Sequence, residues 1–222
     1  MRFNDPQRLY FFLDFVSHNA WLAWHQIGAL VERHGVVLEP VPVVFGAMLK
    51  AHEQLGPAEV PPKRDWMIRN VLRKARLGGI PIAPPASHPF SSLLALRLVC
   101  CELSPTARVD LCTRLFRAAW AESRPLQDPA TLTAILQEAG LDAAALLAQA
   151  QAGPAKSRLR DHTESALAAG IFGVPAMRVR GADFWGYDDF EHLERHLRGE
   201  EPVVDADLDP WRRVRPSVER RR

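Results

Sequence analysis

The sequence predicts a split α/β domain with an all-helical domain inserted between its halves. Three observations carry that expectation. A strand–helix–strand unit opens the chain, purely helical periodicity with proline-marked helix starts fills its middle, and strand character returns only near residue 175. At 222 residues the chain is long enough for one large domain, or for one domain carrying an insertion.

Residues 9–15, Leu9-Tyr10-Phe11-Phe12-Leu13-Asp14-Phe15, are apolar nearly throughout, as a strand covered on both faces should be. A small polar cluster, Ser17-His18-Asn19, follows, and either Ser17 or Asn19 can cap the next helix. Trp21, Trp24, Ile27, Gly28 and Val31 then recur at helical spacing through His34, and Gly35 ends the helix. Val36 to Phe45 reads as a second strand, with Pro40 and Pro42 arguing that part of it lies at a sheet edge or is irregular. A parallel pair with a right-handed crossover is the economical topology.

The breaker-rich stretch Gly56-Pro57-Ala58-Glu59-Val60-Pro61-Pro62 opens the helical block. Helices are predicted over 63–77, 91–102, 105–123, 129–139, 142–152 and 156–169, with Ser104-Pro105 and Asp128-Pro129 as cap-plus-proline starts. The proline-rich run from Gly79 to Pro89 must be a loop over the surface or over the site. Residues 176–180 and 183–185 read as a hairpin turning at Gly181-Ala182, and a last helix spans about 188–198. The expected division is residues 1–54 and 156–200 as the two halves of the α/β domain, 55–155 as the helical insertion, and 201–222 as a charged, flexible tail.

The formal net charge of +2 hides an uneven distribution, since residues 212–222 hold six Arg against one Glu and leave residues 1–211 at −3. The body is therefore not a basic nucleic-acid binder. No apolar run approaches the length of a membrane span, and no apolar signal core follows Met1, so a cytoplasmic protein is expected. Cys100, Cys101 and Cys112 form no CxxC and read as small apolar core residues in a reducing compartment. His25, His34, His52, His88 and His162 show no metal-ligand spacing, and His192 with His196 reads as a solvated helix face. No metal is predicted.

The candidate site is the Ser17-His18-Asn19 turn, where unpaired N–H groups and the positive helix end favour an anion. Ser17 is either a helix cap or a hydroxyl that hydrogen-bonds a thiolate; no GxSxG supports a serine hydrolase. His18 is either a solvated loop histidine or a site residue that tunes a bound anion. Pro175, after Gly173-Val174, is either an ordinary strand-start proline or a cis-proline whose neighbouring backbone docks a peptide-like ligand.

These residues resemble a known family. Asp14-Phe15-Val16-Ser17 with Ala20-Trp21-Leu22-Ala23 is similar to the "DFxSPxxYLA" start of the 2-hydroxychromene-2-carboxylate isomerase family. Pro62-Lys63-Arg64 with Leu72-Arg73, and Pro89-Phe90-Ser91-Ser92-Leu93 with Ala95-Leu96-Arg97, resemble two of its helix motifs. Thr163-Glu164, Ala166, Gly170-Ile171-Phe172-Gly173-Val174-Pro175 and Phe184-Trp185-Gly186-Tyr187-Asp188 resemble its C-terminal motifs, so the likeness runs from about residue 8 to 198.

The resemblance implies a DsbA-like thioredoxin-like domain with an inserted all-helical domain, related to kappa-class glutathione transferases. It implies a glutathione-dependent isomerase in which Ser17 holds the thiolate of glutathione. Val174 and Pro175 would bind the cysteinyl portion, Gly186, Tyr187 and Asp188 the γ-glutamyl end, and Gln54 stands about where relatives carry a contacting asparagine. Lys63, Arg64 and Arg97 would hold a small anionic, conjugated carboxylate substrate, unless they are solvated helix faces. A homodimer is implied as well. His18 stands where proline is usual, Asn19 and Trp21 depart from the aromatic pattern, Ser91 replaces asparagine, and Tyr187 and Asp189 replace glutamine and arginine. A kappa-like transferase with the same site, and a thioredoxin-fold binding module that has lost glutathione, are the alternatives.

Overall fold

In the computed structural model, which describes residues 3–218, β1 (Arg8–Leu13) is the strand on which both cores are built. Its side chains alternate, as strand geometry requires. Leu9, Phe11 and Leu13 enter the larger core, while Tyr10 and Phe12 enter a smaller one on the other face. That explains why the strand reads as continuously apolar.

The remaining elements follow in order. They are α1 (His18–His34), β2 (Val37–Pro42), α2 (Phe45–Ala51), α3 (Pro61–Leu77), α4 (Leu93–Val99), α5 (Pro105–Trp120), α6 (Pro129–Glu138) and α7 (Ala143–Gln151). Then come α8 (Gly153–Ala168), β3 (Ala176–Val179), β4 (Ala182–Trp185), α9 (Phe190–Leu197) and α10 (Asp205–Arg212). The sheet order is β2-β1-β3-β4. β1 pairs parallel with β2, from Arg8 opposite Val37 to Leu13 opposite Pro42, and antiparallel with β3. The predicted parallel unit is therefore present, and the proline-bearing β2 is an edge strand, as Pro40 and Pro42 require.

The larger core joins α1 and α9 to α3 through α7 without a break, and α2 and α8 supply Met48 and Ala166 to the smaller one. Helices thus cover both faces of the sheet. Gly35 ends α1 in the left-handed conformation (φ 62°), its N–H bonding back to Val31 and Glu32.

Several expectations need correction. The second strand stops at Pro42, and Phe45 begins α2. The chain leaves the ladder because the Phe45 N–H donates to Asp14 Oδ2 (3.0 Å) and the Val44 N–H to Thr163 Oγ1 (3.1 Å). The hairpin turns one residue earlier than predicted, at Arg180 and Gly181, which carry φ 50° and 85° and leave Ala182 free to start β4. His196 is not on a solvated face: its ring packs 5.5 Å from Phe184 and its Nδ1 faces Glu201. Residues 205–212 of the tail form a helix, α10, and residues 219–222 of that tail lie outside the described residues. The three cysteines are buried and free, and burial pushes the Cys100 thiol up to about 12, which fits their reading as small apolar groups.

Candidate functional site

The site starts where β1 stops. Asp14 is fully buried and its side chain folds the turn beyond it, Oδ1 accepting from the Val16 N–H at 3.2 Å while its carbonyl accepts from the Ser17 N–H at 3.0 Å. Ser17 is left extended (φ −91°, ψ 113°) as the cap of α1. Its Oγ accepts from the Ala20 N–H at 3.2 Å and its hydroxyl faces the Val174 carbonyl at 3.4 Å. The second contact is long, so the hydroxyl proton is held weakly. The N–H groups of His18 and Asn19 have no hydrogen-bond partner among the described residues. They point the positive end of a 17-residue helix into the turn.

The facing wall is Gly173-Val174-Pro175. The Val174–Pro175 bond is cis, as one of the two sequence readings had it. Gly173 lets the Trp185 indole lie against the backbone, since a Cβ there would stand 2.9 Å from Trp185 Nε1 and the exposed ring would have to shift. The Gly186 N–H donates to the Pro175 carbonyl at 2.9 Å, which fixes the 186–188 segment beside the wall. The Tyr187 hydroxyl accepts from Gln26 Nε2 at 2.9 Å, and Asp188 Oδ2 pairs with Lys74 Nζ at 2.7 Å. Ser17, Val174, Pro175, Gly186, Tyr187 and Asp188 are therefore brought together.

His18 corrects the solvated-loop reading. It is only 8% exposed, because α5 and the proline-rich loop close over it. Its ring stands edge-on to Trp120 at 5.7 Å and lies 6.2 Å from His88. Burial, then the charges of His88 and Lys74, hold its imidazole down at about 4, so it is neutral near pH 7. Its Nδ1 is buried without a partner.

Four site residues escaped the sequence reading. His88 Nε2 contacts the Val16 carbonyl at 3.1 Å, and Trp120 Nε1 donates to the Phe15 carbonyl at 2.8 Å, so both brace the turn from above. The proline-rich loop was the available signal for His88; nothing in the sequence singled out Trp120. Lys74 lies beside the buried Met67–Val71–Ala75 stripe of α3, a helical spacing that places it inward. Ser92 donates to Asp14 Oδ1 at 2.5 Å.

Other predicted residues lie apart. Lys63 and Arg64 are exposed in the first turn of α3, roughly 15 Å along the helix from Lys74. Gln54 is exposed in the loop after α2, where its N–H donates to the Leu49 carbonyl at 2.9 Å, and it shares no hydrogen bond with Ser17 among the described residues. Arg97 is half-buried on α4, its Nε lacking a partner. Among the described residues no cluster of three or more His, Cys, Asp or Glu could hold a metal, and no helix is long and apolar enough to cross a membrane.

A mixed β2-β1-β3-β4 sheet, with a helix launched from the end of β1 against a proline-bearing wall, defines a thioredoxin-like fold. The chain belongs to the DSBA-like thioredoxin domain family, whose model matches residues 8–198. It is similar to a 2-hydroxychromene-2-carboxylate isomerase of Sphingobium xenophagum, 28% identical over 84% of this chain and 96% of that protein. It is also similar to human glutathione S-transferase kappa 1, 25% identical over 91% of this chain and 98% of the relative. Among solved structures, a 2-hydroxychromene-2-carboxylate isomerase superposes with a TM-score of 0.81 over 91% of this chain and 99% of that one, at 22% identity. The resemblance read from the motifs holds.

Proposed function

We propose that this chain is a glutathione-dependent isomerase in which Ser17 holds a thiolate borrowed from glutathione. The observation that carries this reading is the Ser17 hydroxyl, capping α1 and facing Val174 at 3.4 Å beside the unpaired His18 and Asn19 N–H groups. A sulfur anion fits that corner, which offers three donors and a positive helix end and holds no cysteine of its own. Opposite, Gly173 to Pro175 and Asp188 line the wall along which a short peptide would extend. Names of the relatives support the reading, since they include isomerases and glutathione transferases.

When bound, glutathione supplies a thiolate that adds reversibly to a conjugated carboxylate substrate and so frees a double bond to rotate. The residues of the chain do the rest. Ser17 and the α1 N–H groups keep the sulfur ionised. Asp188 is exposed enough to meet an ammonium group while remaining near Lys74. Trp120, His18 and His88 form an aromatic wall suited to a planar substrate. Lys74, rather than Lys63 or Arg64, is the cation close enough to the site to act on His18, and we assign it the substrate's anionic group. A kappa-like transferase would use the same corner with a different electrophile.

Calorimetric titration with glutathione tests the reading. Wild type is expected to bind at millimolar glutathione or below, with a rise in ultraviolet thiolate absorbance that Ser17→Ala loses. Absence of binding removes the proposal.

A further inference from the structure

A second cleft lies away from the Ser17 turn, beside the edge strand β2. It holds about 760 Å³ between Glu39 and Pro40 of β2, the α4–α5 connection at Glu102 and Leu103, and side chains of α5 and α8. That is room for a small molecule. Trp120, which covers the Ser17 turn, stands twelve residues beyond Arg108 on α5, roughly 18 Å along the helix. The two places are therefore separate.

Two guanidinium groups line this cleft. Arg108 donates to the Val99 and Leu103 carbonyls, and Arg158 donates to the Cys100 carbonyl. These carbonyls belong to the end of α4 and the turn after it, where a helix leaves its acceptors unpaired. Capping explains where the arginines are held. It does not explain their charge, because neither is in an ion pair with a carboxylate among the described residues. Each also keeps N–H groups beyond those the carbonyls use.

Acceptors stand beside these donors. His162 is bonded to the Pro42 carbonyl, and burial holds its imidazole down at about 4, so the ring is neutral near pH 7. A neutral ring that donates to a carbonyl has its other nitrogen left as an acceptor, and His162 Nδ1 is buried with no partner. Asp161 and Glu102 are exposed and in no ion pair among the described residues, whereas Glu39 is already bound to Arg8 at 2.5 Å. A buried acceptor without a donor costs free energy that a bound N–H group would recover.

The charges select the occupant. A simple anion would meet the arginines but also Asp161 and Glu102, and would leave His162 Nδ1 unpaired. A simple cation would face both guanidinium groups. We propose that the cleft between β2, α5 and α8 binds a free α-amino acid. Its carboxylate would take the unused N–H groups of Arg108 and Arg158. Its ammonium group would reach His162 Nδ1 and Asp161, and an apolar side chain would lie against Pro40 and Leu103. This site does not depend on glutathione or on the reaction at Ser17.

Ligand-observed NMR titration of the full chain tests this, with L-leucine, L-methionine and L-phenylalanine as probes at millimolar concentration. At least one is expected to bind. Its amide lacks the negative charge and its N-acetyl derivative the positive one, and each should bind at least about tenfold more weakly. Arg158→Gln, which can still donate to the Cys100 carbonyl, should weaken binding of the parent amino acid by about tenfold. Asp161→Asn should do the same. Asp161 is exposed and its side chain makes no hydrogen bond among the described residues, so this variant keeps the fold even where Arg158→Gln does not. Ser17→Asp should leave amino-acid binding unchanged, which separates this site from the glutathione reading. Silence from all three probes, an N-acetyl derivative that binds as well as its parent, or binding indifferent to Asp161→Asn would overturn the proposal.

Discussion

Ser92 Oγ donates to Asp14 Oδ1 at 2.5 Å, joining the start of α4 to the end of β1 across 78 positions of sequence. The same carboxyl group accepts from the Val16 and Phe45 N–H groups, so it ties together the site turn, α2 and the helical block. Burial pushes its pKa up, and the bonds from Ser92, Phe45 and Val16 pull against that shift. Removing one donor from a buried carboxyl group costs more than an average hydrogen bond. Ser92→Ala should therefore destabilise the fold by about 1–3 kcal/mol in urea denaturation, whereas Ser91→Ala, at an exposed neighbour, should stay within about 0.5 kcal/mol of wild type. Equal effects at the two serines would remove Asp14 from this role.

His18 and His162 are both held down to about 4, chiefly by burial. The unfolded chain protonates them near 6.5, so between those values it binds more protons than the fold does. Stability from each is fully present above pH 6.5 and is lost as pH falls towards 4. Each contributes a slope of up to about 1.4 kcal/mol per pH unit, or about 3 kcal/mol across the window. Denaturation at pH 7 and pH 5 should show the loss, and His18→Asn should remove about half of it. A flat profile in wild type would show that neither histidine is buried neutral.

Lys74 is one of the charges lowering His18, after burial and His88. Lys74→Met should move the His18 titration upward, followed by the imidazole proton resonances in NMR. It should also weaken binding of a stable aromatic carboxylate such as cinnamate. The exposed Lys63→Met is the control, with no expected effect on either measurement. If Lys63 and Lys74 exchange these roles, the placement of the substrate's anion on Lys74 fails.

The legible parts of the molecule were those in which one short stretch dictates its own geometry. The apolar run of β1, the glycine that ends α1, the prolines of edge strand β2 and the cap-proline helix starts could each be read locally, and each is present. The cap at Ser17 and the cis bond at Val174–Pro175 were legible too, because a capped helix start and a Gly-Val-Pro segment are local signals. What escaped depends on tertiary packing. α2 is seven residues long, too short for periodicity to show, and is set by bonds from Asp14 and Thr163. His18 reads as solvated until Trp120, about 100 positions away, covers it. Lys63 and Lys74 sit on one basic helix, and only the packing of Val71 and Ala75 shows which end faces the site.

Ser17 has two jobs that a single alanine cannot separate. As the cap of α1 it satisfies the Ala20 N–H, and Ser17→Ala should cost about 1 kcal/mol of stability for that reason alone. Aspartate caps a helix as well as serine does and is favoured by the positive helix end. Ser17→Asp should therefore stay within about 0.5 kcal/mol of wild type. Its carboxylate, however, puts a negative charge where a thiolate would lie, so the ultraviolet thiolate signal with glutathione should vanish in both variants. Stability retained with the signal lost in Ser17→Asp would separate holding an anion from capping a helix. A full thiolate signal in Ser17→Asp would mean that the sulfur is held elsewhere.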